Sequence, residues 1–397
     1  MGRIGIYGGS FNPPHIGHIQ AARQAAQALK LDRLLLVPAR VAPHKQEPVC
    51  SAAPEHRLAM LRLAADIPGV EVCDLELHRE GPSYTFETVA QLRRQYPGEE
   101  LVLIMGTDMF LTFQQWRHPG KILRDASLAV LYRGESGEKQ AVAAQKKELE
   151  KQGAKVELVE NDVIPISSTD LRRLLVFRCA GPFLPEGVED YIRENGLYGT
   201  GRDYRNLPME QLEQVVVSLL KENRVAHVLG CRDTAVELAV RWGADVTDAA
   251  RAGILHDITK ALDGSLQLTL CGEYGIILDK FSSQNPKTLH ALTGSLVAER
   301  IFGENPAVVD AIRFHTTGKA DMRLLEKIIY VADYMEPNRD FPGVGKLREL
   351  AFSDIDAALK LGLEMTLDML RQQKREISPE SQAALDYLNS VSEKGKM

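Results

Sequence analysis

A glycine-rich loop carrying two histidines lies near the amino terminus, between a short apolar run and a helix-like segment. Residues 8–18 read GGSFNPPHIGH, so His15 and His18 stand three positions apart where the helix begins. Glycine lets a backbone approach a ligand closely, and the first N–H groups of a helix bind phosphate. A glycine loop alone is weak evidence, but two histidines at the start of a helix can both face the same anion, which makes the loop a candidate phosphate site. Its other candidate residues are Gly9, Ser10, Phe11 and Gly17.

A second candidate for phosphate binding lies at residues 166–172, with the sequence ISSTDLR. The hydroxyls of Ser167, Ser168 and Thr169 would stand at a helix start, with Arg172 one turn further on. Hydroxyls, amino-terminal N–H groups and a guanidinium all suit phosphate oxygens. Taken alone, the segment also suits an ordinary helix cap, so its weight comes from occurring together with the histidine loop.

Beyond residue 200 the chain holds four histidines, and each falls in or beside a helix-like segment. Imidazole and carboxylate ligands without thiolate suit Fe, Mn or Zn rather than Ca. One carboxylate lies in an otherwise apolar helix, where it would be costly to bury without a partner. This pattern predicts a site for divalent metal. Its candidate ligands are His227, His256, Asp257, His290, His315 and Asp333.

The first half must supply a scaffold for the two phosphate segments, and short apolar runs alternate there with helical patterns. Such alternation predicts a doubly wound parallel α/β sheet, which binds ligands at the carboxyl ends of its strands. The predicted strands cover 4–7, 34–37, 70–74, 101–105, 128–131 and 156–159. The predicted helices cover 16–29, 54–65, 85–96, 119–125 and 139–152.

Residues 196–208, GLYGTGRDYRNLP, have the composition of a linker, and the strand pattern stops after them. The second half is therefore predicted to be all-α, with domains over 1–200 and 205–392. Its predicted helices cover 211–222, 226–242, 246–255, 289–302, 307–314, 324–336 and 355–372.

The string containing HIGH, together with ISSTDLR, resembles the signatures of the HxGH nucleotidyltransferase superfamily. Within that superfamily, residues 1–200 resemble the bacterial nicotinate-mononucleotide adenylyltransferases. The further matching segments are 38–45 (PARVAPHK), 83–85 (SYT), 106–108 (GTD, with Thr107 where alanine is usual) and the closing 184–198. Residues 177–182 depart from the usual basic glycine-containing turn. The resemblance implies NAD biosynthesis: ATP and nicotinate mononucleotide give nicotinate adenine dinucleotide and pyrophosphate, with Mg²⁺ accompanying ATP.

The same resemblance implies roles for individual residues. His15 and His18 would stabilise the charge that develops on the transferring phosphoryl group, and Arg172 would hold the outer phosphates. Gly106 and Asp108 would meet the adenylate ribose. The mononucleotide would be bound by Lys45, Tyr84, Thr85 and Trp116. For Trp116, simple core packing is the competing interpretation.

The order of histidines and aspartates in the second half is similar to that of the HD-domain phosphohydrolases. The strings LHDITK, RFHTTG and ADYMEPNRD over about 205–390 resemble the HD-domain symmetrical diadenosine tetraphosphatases, which release two ADP. By that resemblance His227, His256, Asp257 and Asp333 would hold one metal. The second would be held by His290, His315 and a bridging Asp257.

Two cations accompany these predicted ligands. Lys260 follows His256 by one helical turn, which would let it point at the substrate phosphates and take part in catalysis. Arg339 would contact the substrate in the same way, although an ordinary surface ion pair explains it equally well.

The composition of the chain limits the classes of partner that it could bind. The chain of 397 residues has 48 Lys and Arg against 54 Asp and Glu, a net charge of −6, and 44% apolar residues. This composition predicts a globular protein whose partners are neither nucleic acid nor membrane. The two resemblances imply that its partners are nucleotides: ATP, nicotinate mononucleotide and dinucleoside polyphosphates. Five scattered cysteines favour a reducing cytoplasm over a disulfide framework. A homo-oligomer stays open.

Three alternatives remain at this point. The first domain could be another HxGH transferase, such as a pantetheine-phosphate adenylyltransferase or a cytidylyltransferase. The second could be an HD phosphohydrolase acting on mononucleotides or a signalling nucleotide. It could also be a metal-bound module that senses nucleotides without turnover.

Overall fold

The computed structural model describes residues 2–41, 51–134 and 137–394, with side chains described as far as residue 391. The chain divides into two compact units, Met1–Arg202 and Asp203–Met397. In the part of the chain that the structure describes, no helix combines the length and apolar character needed to cross a bilayer.

The amino-terminal unit is built on a six-stranded sheet in which every neighbouring pair of strands is parallel. Across the sheet lie, in order, the third, second, first, fourth, fifth and sixth strands of the chain, so the order reverses between the first and the fourth. This confirms the predicted doubly wound α/β fold. Ligands of such sheets bind at the carboxyl ends of the strands beside the reversal. The strands are β1 (Arg3–Gly9), β2 (Arg33–Pro38), β3 (Val70–Val72), β4 (Glu100–Gly106), β5 (Ser127–Leu131) and β6 (Val156–Val159).

Helices cover both faces of this sheet, because the central strands are apolar on both sides. One core contains Ile6, Leu103 and Val130, and the other contains Leu36, Ile104 and Ala129. Neighbouring residues of a strand thus point into opposite cores. The helices are α1 (Ile16–Ala28), α2 (Pro54–Ala64), α3 (Thr85–Gln95), α4 (Thr107–Leu111), α5 (Pro119–Asp125), α6 (Glu138–Lys151), α7 (Ser168–Val176) and α8 (Val188–Glu194).

The carboxy-terminal unit is helical, and no strand occurs among its described residues, which confirms the all-α prediction. Four of its helices were not predicted: Gly264–Glu273, Lys280–Gln284, Val344–Ser353 and Pro379–Lys394. The first two are short or glycine-containing, so they lack an apolar period long enough to recognise. The helices are α9 (Met209–Leu219), α10 (Glu222–Trp242), α11 (Val246–Leu255), α12 (Gly264–Glu273), α13 (Lys280–Gln284), α14 (Leu289–Arg300), α15 (Pro306–Arg313), α16 (Leu324–Met335), α17 (Val344–Ser353), α18 (Ile355–Gln372) and α19 (Pro379–Lys394).

Candidate active sites

His15 and His18 cap the first helix of the amino-terminal unit reciprocally. The backbone N–H of His18 donates to Nδ1 of His15 at 3.3 Å, and the N–H of His15 donates to Nδ1 of His18 at 3.2 Å. Because each Nδ1 accepts a hydrogen bond, the proton of each neutral ring belongs on Nε2. The rings stack with centroids 3.6 Å apart. The helix cap thus fixes two neighbouring N–H donors in one tautomer.

Burial keeps His15 neutral. His15 is 5% exposed, and burial, with a smaller effect from Arg133, lowers the pKa of His15 to about 3. Gly17 is needed for the packing of this ring: a Cβ there would lie 3.0 Å from Nδ1 of His15. Phe11 is 1% exposed and packs edge-on against His18, with ring centroids 5.0 Å apart.

The histidine pair lines a cavity of about 590 Å³ at the carboxyl ends of the strands. Most of the residues predicted for nucleotide and substrate binding line the same cavity, although they come from five separate segments of the chain. Three predicted residues do not fit this description. The side chain of Phe11 lies in the core, Tyr84 is not part of the lining, and Lys45 falls outside the described residues. The predicted residues in the lining are Gly9, Ser10, His15, Gly17, His18, Thr85, Gly106, Asp108, Trp116, Ser167, Ser168, Thr169 and Arg172.

Hydrogen bonds tie the two phosphate-binding candidates to each other. Arg172 donates from Nη1 to the carbonyl oxygen of Asn12 at 2.7 Å, and the hydroxyl of Ser168 donates to the carbonyl of Pro13 at 3.0 Å. The side-chain oxygen of Asn12 accepts from the phenol of Tyr198 at 2.7 Å. The histidine loop is therefore held from α7 and from the last turn of the unit.

Arg57, which the sequence analysis missed, fastens the other side of the loop. It is 2% exposed, and its guanidinium donates to the carbonyl oxygens of Ser10, Ala39 and Arg40 at 2.7–2.9 Å, and to that of Ala52 at 3.3 Å. These acceptors follow β1, follow β2 and precede α2. An arginine inside a helix gives no sequence signal that its partners are distant carbonyls.

The first turn of α4, directly after β4, presents Asp108 to the cavity beside a cation that the sequence analysis also missed. Nε of Arg133 lies 3.1 Å from Oδ1 of Asp108, and Arg133 lines the same cavity. The buried carboxylate of Glu138 accepts from the backbone N–H groups of Arg133 and Gly134 at 2.6 and 2.8 Å. It also accepts from the hydroxyl of Thr107. The unusual threonine thus helps to anchor the loop that carries Arg133.

In the carboxy-terminal unit, all four histidines are buried and converge on Asp257. Oδ2 of Asp257 lies 3.7 Å from Nε2 of both His227 and His256. Its Oδ1 lies 3.4 Å from Nε2 of His290 and 3.8 Å from that of His315. One carboxylate therefore faces two pairs of imidazoles with different oxygens, which is the arrangement required of a bridging ligand.

The histidine tautomers suit metal binding. Nδ1 of His256 and of His315 each lies 2.7 Å from the carbonyl oxygen three residues earlier, and Nδ1 of His290 lies 2.9 Å from the carbonyl of Lys287. A carbonyl only accepts, so these rings carry their proton on Nδ1 and turn the lone pair of Nε2 towards Asp257. Burial lowers the pKa of His315 to about 4 and the pKa of His256 and of His290 well below the usual range.

Two ligand groups result, and they fit divalent cations. Their ligand atoms lie within 4.8 Å of one another: His227, His256 and Asp333 form one group, and His256, Asp257 and His315 form the other. Nε2 of His227 and of His256 face each other at 3.3 Å. Two lone pairs at this distance repel unless a cation lies between them, so the donor set itself calls for a metal.

His290 stands beside the second group. Its Nε2 lies 2.9 Å from Nζ of Lys260 and 3.2 Å from the hydroxyl of Thr316. The lone pair predicted to bind a metal is thus also within reach of the lysine predicted to meet the substrate. Burial lowers the pKa of Lys260 to about 8.

Asp333 completes the cluster from α16. Its Oδ1 lies 3.1 Å from Nε2 of His227 and accepts from Nη2 of Arg339 at 2.7 Å. Burial alone would raise the pKa of Asp333, but His227, His256 and Arg339 together hold it well below the usual range. Arg339 is therefore one of the charged groups of the site.

Glu336 and Arg224 are further members of the cluster that the sequence analysis missed. Glu336 is 1% exposed, and its Oε1 lies 3.1 Å from Nδ1 of His227. Gly230, one turn after His227, leaves room for this carboxylate, since a Cβ there would lie 2.5 Å from its Oε2. The guanidinium of Arg224 contacts Oδ2 of Asp257.

Comparison with known proteins defines the class of each unit. Residues 6–174 match the cytidylyltransferase-like family, and residues 224–338 match the HD domain. The chain is thus an enzyme that joins a nucleotidyltransferase domain to an HD hydrolase domain.

Two curated relatives are similar to separate halves of the chain. A protein from Exiguobacterium sibiricum, described as a probable nicotinate-nucleotide adenylyltransferase, is 36% identical over 200 residues, which are 50% of this chain and 100% of the relative. A symmetrical bis(5'-nucleosyl)-tetraphosphatase from Halalkalibacterium halodurans is 40% identical over 181 residues, 44% of this chain and 94% of the relative. The chain therefore belongs to the nicotinate-nucleotide adenylyltransferase family in its first half and to the symmetrical bis(5'-nucleosyl)-tetraphosphatase family in its second.

One solved structure is also similar to half of the chain. It comes from Clostridium acetobutylicum, is described as a predicted HD superfamily hydrolase involved in NAD metabolism, and is 36% identical. The match covers 47% of this chain and 98% of that one, with a TM-score of 0.46.

Proposed function

We propose that the amino-terminal unit transfers adenylate from ATP to nicotinate mononucleotide and releases pyrophosphate. The observation that carries this proposal is the His15–His18 pair, whose cap leaves two Nε2–H donors in a cavity that Asp108 and Trp116 also line. The family relatives support the choice of acceptor.

The residues would act by position and charge. An oxygen of the mononucleotide phosphate attacks the α-phosphorus of ATP in line, and the bond to the β-phosphate oxygen breaks. His15 and His18 would donate hydrogen bonds to the oxygens on which negative charge grows. Arg172 and Ser168, which hydrogen-bond to carbonyl groups of the histidine loop, would bind the outer phosphates. Mg²⁺ carried by ATP would neutralise the leaving pyrophosphate. Asp108 would accept from the ribose hydroxyls.

The test is pyrophosphate release by the full chain with several acceptors. Nicotinate mononucleotide should be preferred over nicotinamide mononucleotide and phosphopantetheine, and ATP over CTP. His18→Asn should lower kcat by about 10²–10³-fold. His56→Asn, at a histidine that contacts Tyr191 outside the cavity lining, is the matched control. Preference for the nicotinamide acceptor would refute the pocket assignment.

For the carboxy-terminal unit we infer symmetrical hydrolysis of diadenosine tetraphosphate to two ADP. The carrying observation is Asp257, whose two oxygens face two pairs of histidines with inward lone pairs. Divalent ions held by these residues (Fe, Mn or Zn) would supply the Lewis acidity that activates water and offsets phosphate charge. Glu336 would orient His227, and Lys260 and Arg339 would contact the polyphosphate.

Product analysis separates this activity from its alternatives. The protein should be incubated with Mn²⁺ or Fe²⁺ and diadenosine tetraphosphate, and the nucleotides separated by chromatography. ADP alone supports the proposal, whereas ATP with AMP excludes symmetrical cleavage. Turnover of mononucleotides or of a signalling nucleotide instead would identify a different HD phosphohydrolase. Metal binding without turnover would favour a nucleotide sensor.

A further inference from the structure

Tyr7 lies on β1 and lines the cavity of the amino-terminal unit, although the sequence analysis missed it. Neighbouring residues of a strand point to opposite faces of the sheet. Ile6 accordingly packs into one core, while Tyr7 packs against the other, beside Phe11 with ring centroids 6.0 Å apart. Its neighbour across the strand pair is Ile104 of β4, which lines the same cavity.

The phenol of Tyr7 is not used within the protein. Among the residues that the structure describes, none forms a hydrogen bond with its oxygen. Two other tyrosines of this unit do have partners, since the phenol of Tyr191 contacts His56 and that of Tyr198 donates to Asn12. Burial raises the pKa of the Tyr7 phenol to about 12, so the group keeps its proton at neutral pH and remains a donor. An unpaired donor that lines a cavity indicates a ligand.

The neighbours of Tyr7 indicate which part of the ligand it would meet. Two charged residues of the cavity act on the phenol: Arg133 lowers its pKa and Asp108 raises it, each by less than burial does. The hydroxyl therefore lies within electrostatic range of the Asp108–Arg133 pair, where the proposed function places the ribose of ATP. A carboxylate only accepts, so a ribose hydroxyl that donates to Asp108 keeps its own lone pairs for another donor.

We propose that Tyr7 is a further ATP-binding residue, whose phenol donates a hydrogen bond to the ribose hydroxyl that donates to Asp108. This inference rests on the proposed adenylate transfer and adds a residue to its nucleotide site. Phenylalanine would fill the same space without the oxygen, so Tyr7→Phe separates binding by the hydroxyl from packing of the ring.

The test measures nucleotide affinity and stability in the same experiment. The full chain carries Trp242→Phe, so that Trp116 alone reports urea unfolding of the amino-terminal unit. A ligand that binds only the folded unit raises its unfolding free energy by an amount that gives Kd. Mg²⁺ with ATP, 2'-deoxy-ATP or 3'-deoxy-ATP is added in separate series, without an acceptor. Tyr191→Phe is the matched control, because it removes a phenol that contacts His56 outside the cavity lining.

Tyr7→Phe should weaken ATP binding about 3–10-fold, the effect of one neutral hydrogen bond. It should leave the unfolding free energy without nucleotide unchanged, since the phenol has no partner to lose. The loss of affinity should disappear for one of the two deoxy analogues, the one without the accepting hydroxyl. Tyr191→Phe should show the reverse pattern, with lower stability and the ATP affinity of the wild type.

Equal ATP affinity in Tyr7→Phe and in the wild type would overturn the inference. An equal loss of affinity for ATP and for both deoxy analogues would also overturn it, because the phenol would then meet another part of the nucleotide. Pyrophosphate release is measured in parallel with nicotinate mononucleotide as acceptor. If the wild type binds ATP but releases no pyrophosphate, the proposed transferase activity is refuted and the role of Tyr7 in binding ATP still stands.

Discussion

Nε2 of His227 and Nε2 of His256 face each other across 3.3 Å, while their Nδ1 atoms lie against Glu336 and the carbonyl of Gly253. The protons of both rings are thus committed away from the contact. The fold brings together two lone pairs that repel each other unless a proton or a metal lies between them. Burial lowers the pKa of His256 well below its usual range, which disfavours a proton on that ring.

Glu336→Ala should lower the affinity of the cluster for Mn²⁺ by about 10–100-fold, because His227 loses the partner that orients its ring. Glu336→Gln keeps an acceptor oxygen and should retain most of the affinity. Equilibrium dialysis followed by metal analysis measures both. Equal Mn²⁺ affinity in Glu336→Ala and the wild type would contradict the orienting role.

Gly17→Ala should separate activity from stability in the amino-terminal unit. Alanine favours the helix by up to about 1 kcal/mol, but its methyl group would press on the ring of His15. We expect kcat for pyrophosphate release to fall about 10-fold or more without a loss of thermal stability. Gly120→Ala is the matched control, because Gly120 is also the second residue of a helix and nothing lies within 4 Å of an added Cβ. Equal rates in the two variants would show that the ring tolerates the methyl group.

Acidification should destabilise the amino-terminal unit through His15. Its folded pKa of about 3 lies below the unfolded value of about 6.5. The unfolded chain therefore binds the proton first, and stability present above pH 6.5 is lost as the pH falls towards 3. Between pH 7 and 5 this group should remove about 2 kcal/mol, and His15→Asn should abolish that part of the loss.

Fluorescence can follow this change in one unit alone. The chain has two tryptophans, so Trp242→Phe leaves Trp116 to report urea unfolding of the amino-terminal unit. His78→Asn, at a side chain that is 74% exposed, is the control and should keep the wild-type pH dependence. If the unfolding free energy of His15→Asn fell with pH as steeply as that of the wild type, His15 would not be buried in its neutral form.

Arg57→Met should destabilise the amino-terminal unit by about 3–5 kcal/mol, since it deprives buried carbonyl oxygens of a charged donor. Trp116 fluorescence again gives the unfolding free energy. Arg57→Lys should recover part of it, and Arg23→Met, at an exposed residue of α1, should change it by less than about 0.5 kcal/mol. Tetraphosphate hydrolysis in the other unit should persist, which distinguishes a local effect from general misfolding.

Periodicity predicted all six strands, because strands buried on both faces are continuous apolar runs between turn residues. Spacing also indicated the histidines. It could not indicate that Phe11 turns its ring into the core, because that depends on the backbone of residues 10–12 rather than on residue type. The sequence did not indicate the roles of Arg57 and Glu336 for a related reason. Arg57 binds backbone carbonyls, and Glu336 contacts the ring of His227, which is over a hundred residues away in the sequence. Arg224 did carry a signal, its position one turn before His227.

The phenol of Tyr198 holds the amide of Asn12, although 186 residues separate them. The amino-terminal unit is thus closed by its own last turn, four residues before Arg202, where the chain passes into the second unit. Anyone who splits the gene to study the two enzymes separately should therefore cut after residue 202. A fragment that ends before Tyr198 would keep every predicted nucleotide-binding residue and still lose one of the hydrogen bonds that hold its histidine loop in place.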